Sequence, residues 1–149
     1  MTEHENYMNM ALDLAREAAR DGEVPVGCVI TDPEGRVIGR GRNRREKDCD
    51  ATAHAEVEAI RQACRALGSW RLNGCSLYVT LEPCPMCAGA IINARLARLY
   101  YGAREQHSGS CGSVLNLFME PYGHEPQIVG GLLEAGCAEL LQRFFADKR

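Results

Sequence analysis

Two cysteines separated by two residues, Cys84 and Cys87, are the side chains of this sequence best placed to hold a metal ion. The residues before them, Ser76 to Leu81, form a β-branched and aromatic run that reads as a strand. Pro85 suits the first position of a helix, where its missing N–H has no partner to lose. Cys84 then stands at the helix entrance and Cys87 three residues on along the same face, so two sulfurs converge on one ion. The positive end of the helix favours the thiolate form that metal binding needs. His54, within His54-Ala55-Glu56, supplies a third ligand. One histidine and two cysteines are donors of the soft and borderline kinds that suit Zn2+, one ion per chain.

Three protein ligands leave the fourth position of a tetrahedral site for water, which zinc makes nucleophilic near neutral pH. Glu56 is the candidate general acid and base, taking a proton from that water and returning it to the ring nitrogen and leaving amine of a substrate. Residues two apart on an ideal helix face different sides, so helical spacing alone does not bring His54 and Glu56 to one ion. A closed Cys₃His or Cys₄ site recruiting Cys28, Cys49, Cys75 or Cys111 competes on ligand count. It leaves Glu56 without a role, and closed sites usually show two close-spaced ligand pairs where this chain has one.

The frame holding these residues is most simply one domain, residues 1–149, since 149 residues at 46% hydrophobic content bury a core without disulfide staples. No apolar run reaches the length of a membrane span. Glu3, Glu5 and Asp13 occupy the stretch where a secretory signal has a basic start and an apolar middle, so a cytoplasmic protein is expected. Eight cysteines with one close pair read as two ligands and six ordinary thiols. A net charge of -3 argues against a general electrostatic nucleic-acid binder. It leaves room for a local basic patch, and Arg42, Arg44, Arg45 and Lys47 fall in one polar loop.

Thr2 and Glu5 make a capping box for a first helix whose Met8, Ala11, Ala15 and Ala18 recur at helical spacing up to Asp21-Gly22. Val24 to Thr31 and Arg36 to Gly41 flank a turn at Asp32-Pro33-Glu34-Gly35 and are expected to pair as an antiparallel hairpin, with Pro25 near its start. Thr52 is the expected cap of a helix running to about Leu67, with Ala59, Ile60, Ala63, Cys64 and Leu67 buried and Gly68 closing it. The strand from Ser76, the metal helix to about Ala94 and a strand near Arg98 to Gly102 imply parallel pairing. Ala103 to Pro126 is long for a connection, with a helical turn expected within Val114 to Met119. Gln127 to Gly131 reads as a last strand, and Leu133, Cys137, Leu140, Leu141 and Phe144 as the apolar face of a last helix. The order αββαβαβα implies an α/β fold: a mixed sheet of about five strands with helices on both faces.

With these residues in hand, the chain resembles the zinc-dependent nucleoside and nucleic-acid deaminases, whose H-x-E and P-C-x-x-C signature it carries at His54-Ala55-Glu56 and Pro83-Cys84-Pro85-Met86-Cys87. The likeness to the branch acting on tRNA extends to Glu23-Val24-Pro25-Val26-Gly27, Asn43, Thr52-Ala53, Leu77-Tyr78-Val79-Thr80-Leu81-Glu82, Ala88-Gly89-Ala90, Gly102-Ala103-Arg104 and Phe144-Phe145. The resemblance implies a three-layer α-β-α cytidine-deaminase-like fold. It implies a homodimer that converts adenosine to inosine at the wobble position of a tRNA anticodon stem-loop. It also implies that Val26 and Asn43 line the pocket of a flipped adenosine, that Glu105 touches the nucleotide backbone, and that the last helix near Phe144 and Phe145 flanks the anticodon loop. Val26 also fits a buried strand position, and Asn43 a turn cap. Phe144 continues the apolar stripe, whereas Phe145 lies off it and is the candidate for base stacking. Beside a zinc site, the basic loop becomes a candidate phosphate patch. Ala51 stands where proline is common in that branch, Glu105 where aspartate is common and His107 where lysine often contacts RNA. Two readings compete: a deaminase of a free base or nucleotide (guanine, cytidine or deoxycytidylate), and a non-catalytic zinc-binding module.

Overall fold

Four α-helices and five strands lie along residues 1–148, the part of the chain that the computed structural model describes. Helix α1 (Glu3–Arg20) opens on the expected capping box. Glu5 N–H donates to Thr2 Oγ1 at 3.1 Å, and Thr2 N–H donates to Glu5 Oε1 at 2.9 Å. Strand β1 (Gly27–Thr31) begins three residues later than the apolar run, because Val24-Pro25-Val26 closes a tight turn in which Val26 N–H donates to the Val24 carbonyl at 2.9 Å. It pairs antiparallel with β2 (Val37–Arg42), with a bulge between Ile30 and Thr31.

Helix α2 (Ala55–Leu67) starts two residues later than expected. Thr52 spends its hydroxyl and its amide on the Asp50 carboxylate, at 2.7 and 2.8 Å, and His54 takes the N-cap position. The helix packs on the hairpin through Ala55, Ala59 and Ala63, with Ile60 and Cys64 half-buried. Leu67 ends this row where the chain leaves at Gly68 and is 43% exposed, against the expectation of burial. Gly39 and Gly41 make the close approach possible: a Cβ on Gly41 would overlap the Ala55 carbonyl oxygen and come within 2.8 Å of Ala59 N. This contact fixes the first turn of α2 against the sheet.

Strand β3 (Ser76–Leu81), helix α3 (Pro85–Asn93) and strand β4 (Arg98–Ala103) follow as read from the sequence, and β3 pairs parallel with β4. The long connection after β4 contains a one-turn 3₁₀ helix, Leu117–Met119, before β5 (Gln127–Val129) and α4 (Glu134–Asp147). The sheet order is β2-β1-β3-β4-β5, with β1 antiparallel to β3 and β5 parallel to β4. Cys28, Ile30, Leu77, Val79, Leu99 and Tyr101 face α2 and α3, while Val29, Tyr78 and Tyr100 face α1 and α4. The result is the expected three layers around a mixed five-stranded sheet. All eight cysteines are free thiols. Among the described residues, no helix is long and apolar enough to cross a membrane.

Candidate active site

Both helices on one face of the sheet begin at a metal-ligand candidate. His54 is the N-cap of α2 and Cys84 the N-cap of α3, each with extended backbone (φ -84, ψ 152 and φ -76, ψ 173), and neither side chain caps its own helix. Both are therefore free to turn outward. This removes the spacing difficulty at His-x-Glu: His54 lies outside the helix and Glu56 inside its first turn, so the ideal helical angle between them does not apply.

His54 Nδ1 lies 3.7 Å from Cys84 Sγ and 3.5 Å from Cys87 Sγ, and the three donor atoms are all within 4.8 Å of one another. A tetrahedral zinc with ordinary Zn–N and Zn–S bonds separates nitrogen from sulfur by about 3.6 Å. The residues thus fit the ion in donor type and in spacing. Among the described residues no further His, Cys, Asp or Glu joins the cluster, so Cys28, Cys49, Cys75 and Cys111 stay out of it and the closed four-ligand site is excluded.

The three donors are linked to one another through His54 Nδ1. The hydrogen bond from the Cys87 thiol, reinforced by His54, holds Cys84 down at about 4, while the same bond pushes Cys87 far up. The bond to Cys84 raises His54. Metal binding expels such protons and takes their place. Burial pushes the Glu56 carboxyl up to about 7. A carboxyl so placed exchanges protons readily at neutral pH.

A cavity of about 220 Å³ opens beside the cluster. His54, Glu56, Cys84, Val26, Asn43, Glu105 and Phe145 line it together. Cys87 is fully buried and does not. At Val26 and Asn43 the structure shows a structural role and a place at the cavity together. Val26 is buried and also lines the cavity. Asn43 holds a turn, its Oδ1 accepting from Arg45 N–H at 3.2 Å and its Nδ2 donating to the Val24 carbonyl at 3.3 Å, and still borders the cavity. Phe144 is half-buried on α4 whereas Phe145 is 49% exposed at the cavity, as its place off the apolar stripe predicts. His107 and Ala51 are exposed and do not line it.

The structure adds Val24, Arg45, Leu81, Glu82 and Ser108 to the lining. It also divides the basic loop. Arg42 pairs with Glu17 and Asp21 (3.6 and 3.2 Å), Arg44 with Asp48 and Glu58 (3.2 and 3.8 Å), and Lys47 with Asp21 (3.6 Å). Arg45 alone of the four faces the cavity, and it makes no ion pair among the described residues. Two buried carboxylates tie down the neighbouring loops. Glu23 accepts from the amides of Glu46 and Lys47 at 3.1 and 2.7 Å. Glu82 accepts from the amides of Glu105, Cys111 and Ser113 and from the Ser113 hydroxyl. Burial acts to raise Glu82, but these bonds outweigh it and hold the carboxyl below its ordinary range. Their sequence signal was a glutamate embedded among apolar residues, in Glu23-Val24-Pro25 and Leu81-Glu82-Pro83.

An open His-Cys-Cys site beside a buried glutamate, set on a three-layer sheet, is the constellation of a zinc-dependent deaminase. Residues 1–103 match the family described as the cytidine and deoxycytidylate deaminase zinc-binding region. The chain is 49% identical to the tRNA-specific adenosine deaminase of Agrobacterium fabrum, across 100% of this chain and 98% of that protein. It therefore belongs to the cytidine and deoxycytidylate deaminase family and, within it, to the tRNA-specific adenosine deaminases. A solved structure from a study of A-to-I editing by tRNA:A34 deaminases superposes with a TM-score of 0.87 at 49% identity, covering 91% of this chain and 99% of that one. The guanine deaminase of Nitrosomonas europaea superposes with a TM-score of 0.81 at 28% identity, covering 95% and 84%.

Proposed function

We propose that this chain, acting as a single domain, deaminates adenosine to inosine at the wobble position of a tRNA anticodon stem-loop, releasing ammonia and consuming one water. The observation that carries the reading is the His54–Cys84–Cys87 triangle, open toward the cavity that Glu56 also lines. One zinc per subunit, held by these three residues, supplies the Lewis acidity that makes water nucleophilic near neutral pH. Glu56 accepts a proton from the attacking water at its carboxylate and delivers it to N1 of the purine, beside the carbon under attack. It then carries a second proton to the departing amine. Val26 gives the base an apolar wall. Asn43, with one lone pair and one N–H still free after its two loop bonds, addresses the nucleoside's polar atoms.

Glu105 faces the nucleotide backbone, Phe145 stacks on a neighbouring base, and Arg45 takes a phosphate. The small cavity supports a single flipped-out nucleoside as occupant. A cytoplasmic homodimer completes the reading. Met86 on α3, which packs against the 3₁₀ turn, Met119 within that turn, and Val114 and Leu115 just before it are all exposed apolar side chains available to a second copy. Sedimentation at micromolar concentration is expected to show twice the chain mass, and a monomer peak would remove that part.

The decisive experiment incubates the zinc-loaded protein with an anticodon stem-loop carrying adenosine at the wobble position, and separately with free adenosine, cytidine, guanine and deoxycytidylate. Inosine in the stem-loop is expected. Product from a free compound alone would transfer the chemistry to the competing small-molecule reading, for which the shared fold with a guanine deaminase is the specific support. Glu56→Gln is expected to keep zinc and fold and to lose about 10²–10⁴ in turnover. Full turnover in that variant would return the site to a non-catalytic zinc module.

A further inference from the structure

We propose that Glu82 is a positioning residue: its buried carboxylate fixes the substrate-facing loop, residues 104–113, against the segment that carries the ligand Cys84. Glu82 is 2% exposed. Its Oε1 accepts from Glu105 N–H at 3.1 Å and from the Ser113 hydroxyl. Its Oε2 accepts from Cys111 N–H at 2.8 Å and Ser113 N–H at 3.2 Å. Four donors from one loop thus converge on one side chain. The backbone adds a fifth link, Ser110 N–H to the Pro83 carbonyl at 2.9 Å. Gly109 is what lets the loop settle on the carboxylate, since a Cβ there would lie 2.5 Å from Glu82 Cδ.

The residue so held matters for recognition. Glu105, whose amide Glu82 anchors, and Ser108 both line the cavity. The loop also belongs to the long connection after β4, which has little regular structure of its own to hold it. Glu82 stands two residues before Cys84, so one carboxylate sets the distance between the wall that meets substrate and the ligand segment. An ionised carboxylate accepts at both oxygens, whereas an amide offers one acceptor and turns donor N–H groups toward donor N–H groups. Glu82→Gln therefore keeps the shape of the side chain and breaks the half of the clamp that falls on its NH2 group.

The test has two readouts on zinc-loaded protein, and its kinetic half rests on the tRNA reading above. Amide hydrogen exchange over residues 104–113 is expected to accelerate about tenfold or more in Glu82→Gln, with the β3 and β4 segments unchanged. The KM for the anticodon stem-loop is expected to rise about tenfold, with kcat falling by less and zinc content retained. Ser113→Ala, which deletes a single donor, is expected to move both readouts in the same direction by a smaller factor, and it decides the matter if the glutamine variant does not fold. Unchanged exchange in the loop, faster exchange with an unchanged KM, or loss of zinc would each overturn the proposal. The exchange readout uses no substrate, so it tests the clamp even if the stem-loop proves not to be the substrate.

Discussion

Replacing Gly41 by alanine tests whether the first turn of α2, which carries the proposed acid and base Glu56, is positioned by its backbone contact with the hairpin. The added Cβ overlaps the Ala55 carbonyl oxygen and lies 2.8 Å from Ala59 N, where ordinary contact begins at 3.4 Å. Relief requires a movement on the order of 1 Å between β2 and the first turn of α2, the turn that carries Glu56 and follows His54. Overpacking of this kind costs about 1–3 kcal/mol. For a chain of 149 residues that is a fall in Tm of roughly 3–10 °C. A displacement of about 1 Å at reacting groups costs on the order of 100-fold in rate. The assay is inosine formation in the stem-loop, with zinc content and thermal unfolding measured on the same preparations. Gly39→Ala is the control, because its Cβ meets Ala59 and Ala63, one turn farther from the site. It is expected to lower Tm comparably and to reduce kcat/KM by less than the Gly41 variant. β2 is an edge strand and is free to move outward instead. A Gly41→Ala protein with lowered Tm and wild-type kcat/KM would show that the strand yields and the helix does not, which refutes the positioning argument.

Cys87→Ala removes one of three donors and is expected to lose zinc by metal analysis while the sheet's circular dichroism persists; full zinc occupancy would dissolve the ligand assignment. Arg45→Ala is expected to raise KM for the stem-loop and to lower the slope of log KM against log salt by about one, the share of a single phosphate contact, whereas Arg44→Ala, whose charge is spent on Asp48 and Glu58, leaves that slope alone. Asp32 accepts from Glu34 N–H, Arg36 N–H and the Arg36 guanidinium, and although burial acts the other way, these bonds hold its carboxyl below the ordinary range. A depressed folded pKa stabilises above the unfolded value, about 4, and that stability is lost as pH falls through the folded value. Asp32→Asn is accordingly expected to unfold at lower temperature than wild type at pH 7, with the gap closing below about pH 4; a gap that persists in acid would assign the loss to packing.

The strand from Ser76 to Leu81 and the metal helix after it were legible because local signals agreed: β-branched residues, then Pro85 at a position where only a helix start makes sense of it. Where local signals competed, they misplaced boundaries. Thr52 has the right chemistry for a cap, but Asp50 lies two residues away and takes its hydroxyl, so the helix waits for His54. Val24 to Thr31 is continuous in hydrophobicity, which conceals the turn at Pro25 that gives Val24 and Val26 to the cavity. The basic loop was visible as composition and illegible as function. Which of its four cations is free depends on Glu17 of α1, Asp21 at its C-terminal cap and Glu58 of α2, partners that only the fold brings near.

The same contrast separates the chemistry from the choice of substrate. His54, Glu56, Cys84 and Cys87 occupy the starts of two helices that the core holds rigidly, so short motifs suffice to announce them. Arg45, Glu105 and Ser108 sit on loops with little regular structure of their own, and each loop is tied down by a carboxylate from elsewhere, Glu23 for one and Glu82 for the other. A loop anchored by side-chain bonds changes its outline with few substitutions, whereas a ligand at a helix cap does not move without disturbing the core. The guanine deaminase that superposes at 28% identity shares this fold; under the function proposed above, the loop-borne cavity walls rather than the two helix starts would set which base enters.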